Sequence, residues 1–496
     1  MKKLTAFLLA LLTVTSIFAS CSGGDQPSDT TNSASQNEAP AETTAAEVLP
    51  NYLTLEGNFN GKEFRILGMI HKSYSQFSNF EIDVEAENGD VVNDAVYKRN
   101  RTIEEKYNVD IVQKLAEIDQ KSANTAHYQH YQSILLAGED DFDMMFVSMR
   151  DAASVINNKF TIDLNTLPYI DFDEDYWNKA VVNDAISING KLPLTNSDFS
   201  LVDKKRCYIL AYNRDLHKEY SDLVLEDMVH DGEWTFDVFT QLMAGVYSDL
   251  NGDGVYNQHD QWGFHTDSGH ALSALVTGMG GRFIYKDKDD TPIVNLLNER
   301  MVAAVDKVYE GIVSKPEYFF DETKVGWGKD AAVKFPVGTT LFMATFPQSL
   351  PNFSAQCEFD YGVIVWPKYD EAQERYYTFA DRFGTVLFGV PVTNTDHELA
   401  GFMLEVLSGY STDTTLNAYY EVSCKTKYTY DETSADMLDM IFDGLTFDLG
   451  TMTDWGGVYT GTIVKLTEAS NTYVSTCEGL IEAINTAMAE TLELYE

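Results

Sequence analysis

Glu63-Phe64-Arg65-Ile66-Leu67 alternates polar and apolar side chains, the period of a strand with one buried face, and the segments after it decide the fold. Val91 to Tyr107 has the apolar spacing of an amphipathic helix, Val109 to Val112 that of a strand, Tyr128 to Leu136 that of a helix, and Phe142 to Val147 is a buried strand. Strands alternating with helices build a parallel sheet of the α/β class. Ligands of such sheets gather at the carboxyl ends of the strands, here Gly68 to Tyr74 and Ser148-Met149-Arg150-Asp151. The alternation restarts after Asn189-Gly190-Lys191-Leu192. A strand over Arg206 to Tyr212 turns at Asn213-Arg214-Asp215-Leu216 into a helix, and helices follow from Ala271 and over Glu299 to Val313. Further strands are expected at Gly338 to Met343, Tyr361 to Trp366 and Thr385 to Val390, with helices around His397 to Ser408 and Asn471 to Leu494. No fixed-period repeat is visible.

Inside the second unit lies Asp249-Leu250-Asn251-Gly252-Asp253-Gly254-Val255-Tyr256-Asn257-Gln258-His259-Asp260. Oxygen-bearing side chains fall at positions one, three, five, nine and twelve of this loop, and a glycine at position six, where a calcium loop turns back on itself. Calcium takes six to eight oxygens. Asp249, Asn251 and Asp253 would supply them in succession, Val255 through its carbonyl, Asn257 directly or through water, and Asp260 by closing the cage. The alternative is an acidic turn. A helical pattern from Trp234-Thr235-Phe236-Asp237 to Ser248 is expected to enter the loop, and Gln261-Trp262-Gly263-Phe264 leaves it as a strand. With no second helix and no second copy, this is a solitary structural clip, neither a paired sensor hand nor a dockerin.

The 496 residues include 35 basic and 77 acidic ones, a net charge of −42 that repels nucleic-acid phosphates and anionic lipid head groups. Lys2-Lys3, an apolar run from Leu4 to Phe18, and Ala19-Ser20 before Cys21 have the layout of a cleaved signal, residues 1–20, that ends at a lipidated cysteine. Phe18 stands where that pattern usually has leucine. Ser22 to Ala46 has almost nothing to bury, so 21–58 is expected to be a disordered tether to the extracytoplasmic side of the cell membrane. Cys207, Cys357, Cys424 and Cys477 have no metal-like spacing and are expected as small core residues.

The order of Glu63 to Leu67, Tyr212-Asn213-Arg214-Asp215-Leu216, Trp234-Thr235-Phe236, the Asp249 to Asp260 loop with Gly263-Phe264, Gly338 to Met343, and Asp360-Tyr361-Gly362-Val363 resembles family 1 extracellular solute-binding proteins. These are lipoprotein receptors of ABC importers, many of them carbohydrate-binding, with maltose-binding protein among them. The resemblance implies a periplasmic-binding-protein-like fold of two α/β lobes, with a ligand cleft between them and a hinge that the chain crosses several times. Crossings are expected near Asp198 to Asp203, Thr340 to Thr345 and Asp381 to Thr385. Lobe 1 would then be 59–200 plus 345–384, and lobe 2 would be 201–344 plus 385–496. It further implies a monomeric receptor that passes a small solute, an oligosaccharide, to a permease.

Motifs for catalysis are missing: no nucleophile elbow, P-loop or His-Glu-x-x-His helix occurs, so an enzyme is the minority reading. Gly278-Met279-Gly280-Gly281 follows a helix and not a strand, which argues against a nucleotide loop. His127 and His130 share a helix face, as a surface pair or two metal ligands without a third. A sugar receptor needs aromatic faces for C–H groups and planar polar side chains for hydroxyls. Aromatic content of 12% supplies candidates: Trp177 in Asp175-Tyr176-Trp177-Asn178 and Trp455 in Thr453-Asp454-Trp455-Gly456-Gly457, each with core packing as its alternative. Trp366, in an apolar strand, is assigned to the core. Arg150 and Asp151, and Asp381 and Arg382, are polar pairs at a strand end and at a crossing, placed to face the cleft or to form surface salt bridges. His270, just ahead of the helix from Ala271, completes the candidate ligand-binding set.

Overall fold

The computed structural model describes residues 49–71, 78–79, 81–118, 123–266, 270–321, 334–428, 431–463, 466 and 470–496. The signal segment, Cys21 and the stretch from Ser22 to Ala46 lie outside them. The first sheet has four strands in the order β9-β3-β1-β2: β1 (Lys62–His71), β2 (Val109–Ile118), β3 (Met144–Ser148) and β9 (Val386–Gly389). Lys62 lies opposite Val109 and Ile66 opposite Met144 in parallel register, while β9 runs antiparallel with Val386 opposite Ser148.

Between β1 and β2 runs α1 (Val91–Tyr107), with the boundaries its periodicity predicts. The Asp90 carboxylate accepts the free N–H groups of Val92 and Asn93 at its start, and Asn108 ends it in the left-handed conformation at φ 49°. Between β2 and β3 comes α2 (Ala123–Ala137).

The second sheet, in the order β8-β4-β7-β5-β6, has five strands: β4 (Ile209–Asn213), β5 (Trp262–Thr266), β6 (Phe319–Asp321), β7 (Thr340–Thr345) and β8 (Tyr361–Ile364). Along their whole length β4, β5 and β7 are buried, which is why their sequences are mostly apolar. The β5 strand is parallel to β6 and β7, whereas β4 is antiparallel to β7 and β8, so the sheet is mixed where the alternation predicts parallel pairing. On it pack α4 (Arg214–Tyr220), capped by the Asn213 side chain on the Leu216 N–H, and α5 (Phe236–Met243). Because α5 ends at Met243, and Gly245 turns at φ 83°, no helix enters the 249–260 loop; an antiparallel bridge between Ser248 and Gln261 closes the loop instead.

Strand pairing also corrects the expected allocation of the C-terminal half. β7 is an interior strand of the second sheet and not a crossing, and β8 stays in that sheet with Tyr361 opposite Asn213. The chain returns to the first sheet only at 381–385, where Met149 N–H donates to the Thr385 carbonyl just before β9. Residues 361–364 therefore belong with lobe 2 and 386–389 with lobe 1, the reverse of the expectation, because inter-strand hydrogen bonds and not chain order decide membership. The helix α8 (His397–Ser411) is almost wholly buried, and α10 (Tyr473–Leu494) carries the C-terminus. Cys207, Cys424 and Cys477 are buried and Cys357 half-buried, all as free thiols. No helix among the described residues is long and apolar enough to cross a membrane.

Candidate functional site

At the carboxyl ends of β1 and β3 several polar side chains are buried without a hydrogen-bonding partner inside the protein. They are the Asn79 amide nitrogen, His127 Nε2, Ser148 Oγ and Asp151 Oδ2. Asn79, His127 and Ser148 line one small cavity together with Phe146 and Phe383. The cavity measures about 10 Å³, which accommodates roughly one water molecule. A buried polar atom left unpaired costs on the order of 1–3 kcal/mol. Gathering several of them at the strand ends of an α/β sheet is the arrangement expected of a site that waits for hydrogen bonds from a ligand.

The 381–385 crossing supplies the opposite wall. Asp381 accepts from Arg206 Nη2 at 3.1 Å and caps the Phe383 N–H at 3.1 Å. Its neighbour Arg382 donates to the Thr451 carbonyl at 2.9 Å and pairs with Asp454 at 3.2 Å. Phe383 is half-buried and lies between the Arg150 guanidinium, 5.8 Å from its ring, and the His270 ring, 4.7 Å away. His270, at the start of α6 (His270–Gly278), approaches the Tyr459 hydroxyl at 3.0 Å through Nδ1. Burial holds its imidazole below the ordinary value, against the pull of Asp381.

Arg150 and His270 thus flank the Phe383 ring, Arg382 reaches the Arg150 carbonyl, and Asp151 feels the charges of Arg150 and Arg382 as His270 feels that of Asp381. The two tryptophans do not join them. Trp177 is 1% exposed, donates Nε1 to Glu405 at 3.0 Å and packs on Phe172; Trp455 is 3% exposed and donates to Thr491 of α10 at 2.8 Å. Both are core residues, since each indole N–H finds its partner within the fold. Trp366 is core as expected, with its N–H on the Tyr208 carbonyl. The 453–457 turn contributes Asp454, at φ 49°, instead of Trp455. His127 is buried and not on the surface, while His130 is exposed. Phe383, Tyr459 and Asn79 are not singled out by the sequence, whereas Ser148 lies in the strand end expected to gather ligands. Ser148 carried a signal, because it ends a buried strand.

The 249–260 loop stands at the other end of β5 from His270, and the strand itself is five residues or roughly 17 Å long. Asp249 accepts the Gly252 and Gly254 N–H groups at 2.7 and 2.8 Å, and Asp253 accepts the Val255 N–H at 2.7 Å. Gly254 takes φ 71°, the turn that position six of a calcium loop requires. The side-chain amides of Asn251 and Asn257 point their nitrogens at Asp253 Oδ2, at 2.9 and 3.0 Å. Asp260 is fully buried: Oδ2 accepts from Asn257 N–H and the Tyr247 hydroxyl, and Oδ1 has no partner within the protein. Among the described residues no three His, Cys, Asp or Glu side chains converge as a metal site. The backbone has the shape of a calcium loop, then, but its carboxylates are not drawn together.

Compared by sequence, the chain matches no family model and no curated protein. Its fold does match solved structures. The sugar-binding protein MalE from the phytopathogen Xanthomonas citri superposes with a TM-score of 0.57 at 11% identity, over 88% of this chain and 99% of that one. An ABC substrate-binding protein from Listeria monocytogenes, in complex with cycloalternan, gives 0.53 at 14% identity, over 86% and 99%. Maltose-bound MalE3 of T. maritima gives 0.50 at 15% identity, over 88% and 100%. The chain has the two-lobed α/β fold of these binding proteins.

Asp151 provides a test of the site. Burial pushes its carboxyl up to about 6, partly offset by Arg150 and Arg382. A raised carboxyl favours the folded state most below about pH 4 and loses that contribution as pH climbs through 6. Asp151→Asn should therefore be more stable than wild type by roughly 3 kcal/mol at pH 8, a gain that vanishes below about pH 4. Thermal unfolding across pH checks this, and equal stability at pH 8 refutes it.

Proposed function

We propose that this protein is an extracytoplasmic receptor that captures a small hydroxyl-rich solute, an oligosaccharide, between its two lobes and delivers it to an ABC permease. The observation that carries this reading is the set of unpartnered polar groups at the ends of β1 and β3, facing a crossing that presents Phe383 and Arg382, with His270 of α6 against the Phe383 ring. Sugar hydroxyls both donate and accept, so they suit Asp151 as acceptor, Arg150 as donor and His270 as either, while Phe383 offers an apolar face to ring C–H groups. The likeness to receptors solved with cycloalternan and with maltose supports the same choice. A cavity of about 10 Å³ admits no sugar ring, so the lobes must part for entry. The ligand then selects the closed state through contacts with both lobes. No bond need break. Screening the purified protein against glycans by thermal shift should find an unmodified sugar that stabilises it at stoichiometric occupancy, and Arg150→Ala or Phe383→Ala should weaken that ligand at least tenfold. Product formation from the glycans would instead identify a secreted carbohydrate-active enzyme, and stabilisation without any permease partner an adhesion or sensor protein.

We propose also that the 249–260 loop holds a structural calcium ion. The loop shape, the positive φ at Gly254 and the unpartnered Asp260 Oδ1 support this. At a hundredfold excess over the dissociation constant the ion adds about 2.7 kcal/mol to stability. Chelator should lower the melting temperature of wild type but not of Asp249→Ala, with solute affinity in calcium unchanged because the loop and the site lie at opposite ends of β5. A wild type indifferent to chelator leaves the loop an acidic turn.

Cys21 as a lipid anchor is proposed on the layout of the first twenty residues. Cys21→Ala should shift the protein from the membrane to the soluble fraction. N-terminal sequencing then tells an uncleaved signal from a wrong assignment.

A further inference from the structure

A second pocket, separate from the cavity at Ser148, opens beside the start of α1. Its volume is about 330 Å³, at the small end of the range for small-molecule sites. Glu81, Asn88, Asp90, Asn93 and Lys205 line it with Val84, Val92 and Val96. Glu81 is 1% exposed, and neither of its carboxylate oxygens has a hydrogen-bonding partner within the protein. The obvious cation is committed elsewhere. Arg99 spends its donors on the Glu81 and Ile82 carbonyls, on Asn100 and on Ser411. The Asn79 side chain and the Glu81 N–H lie beside the carboxylate and favour its ionised form, against the burial that pushes its carboxyl up.

Lys205 is half-buried on the pocket wall and offsets the charge of Glu81, so an occupant need not be cationic. What the carboxylate lacks is donors, one for each oxygen. Adjacent hydroxyls on one ring supply such a pair. The Asn93 side chain is tied down through its nitrogen to the Ala86 carbonyl, which leaves its oxygen for another donor. Asp90 spends one oxygen on the start of α1, and Asn88 accepts from the Asp90 N–H, which leaves the Asn88 amide nitrogen to donate. The valines give a C–H face of the ring an apolar wall. We propose that this pocket binds a single neutral sugar ring, a hexose, with two neighbouring hydroxyls on Glu81 and further ones on Lys205 and Asn88. The proposal does not depend on an oligosaccharide occupying the cleft.

To test it, the full chain is titrated with D-glucose, D-galactose and D-mannose, followed by saturation-transfer NMR and thermal shift. Glu81→Gln, Val96→Phe and the cleft variant Asp151→Asn are compared with wild type. Saturation transfer to at least one hexose should fall tenfold or more in Glu81→Gln and Val96→Phe and persist in Asp151→Asn. Glu81→Gln should melt no lower than wild type, because it removes the cost of burying a carboxylate. The proposal is overturned if no hexose contacts wild type, if contact survives both pocket variants, or if methylammonium competes the hexose away. Loss in Asp151→Asn alone assigns the hexose to the cleft and equally overturns it. A lower melting point for Glu81→Gln with hexose contact intact makes Glu81 structural.

Discussion

The pairing of Arg206 with Asp381 joins the segment that leads into β4 to the crossing that leads into β9. Its distance is 3.1 Å and both partners are nearly buried, so water screens it little. Arg206 also lies over the Phe346 ring at 4.0 Å, and the crossing hugs it so closely that a Cβ on Gly384 would come within 2.4 Å of its Nε. Asp381 uses its other oxygen on the Phe383 N–H, and its carbonyl accepts from Gly384 and Thr385. One carboxylate thereby sets the turn from which Arg382 and Phe383 project into the site. The placement of both site residues depends on that turn.

Unpaired buried polar groups are the second theme. A fold under selection for stability alone would pair or remove Asn79, His127, Ser148 and Asp151. Two other buried carboxylates of this chain are, by contrast, well supplied with donors. Glu405 takes hydrogen bonds from Trp177, Tyr176 and Asn51, and Asp448 takes the Phe283, Ile284 and Gly450 N–H groups. Asn79, His127 and Ser148 are in addition gathered around one small cavity, which supports the proposed binding site.

A site this narrow links recognition to motion. In the proposed receptor the energy to open the lobes would be recovered only if the ligand satisfied groups on both, so a solute that reached one lobe alone would shift no equilibrium. Asp151 belongs to the lobe of β3, and His270 follows β5 in the other lobe. The 249–260 loop precedes β5 and His270 follows it, so the two proposed sites lie toward opposite ends of one buried strand.

Much of this was legible in the chain itself, because local periodicity needs no tertiary information. Val91–Tyr107 as a helix follows from apolar spacing and the Asp90 cap, and Met144–Ser148 as a buried strand from an unbroken apolar run. Polar residues at strand ends and at a crossing pointed to Arg150, Asp151, Asp381 and Arg382. Sheet membership was not legible: Tyr361–Ile364 and Val386–Gly389 are both short buried strands, and only hydrogen-bond partners far away in sequence assign one to each lobe. Nor does an indole announce its neighbours. Trp177 and Trp455 went to the core because Glu405 and Thr491 were there to accept their N–H groups, while Phe383, with no polar atom to satisfy, was left half-buried between Arg150 and His270. Those outcomes rest on contacts between residues distant in sequence, which form only when the chain is folded.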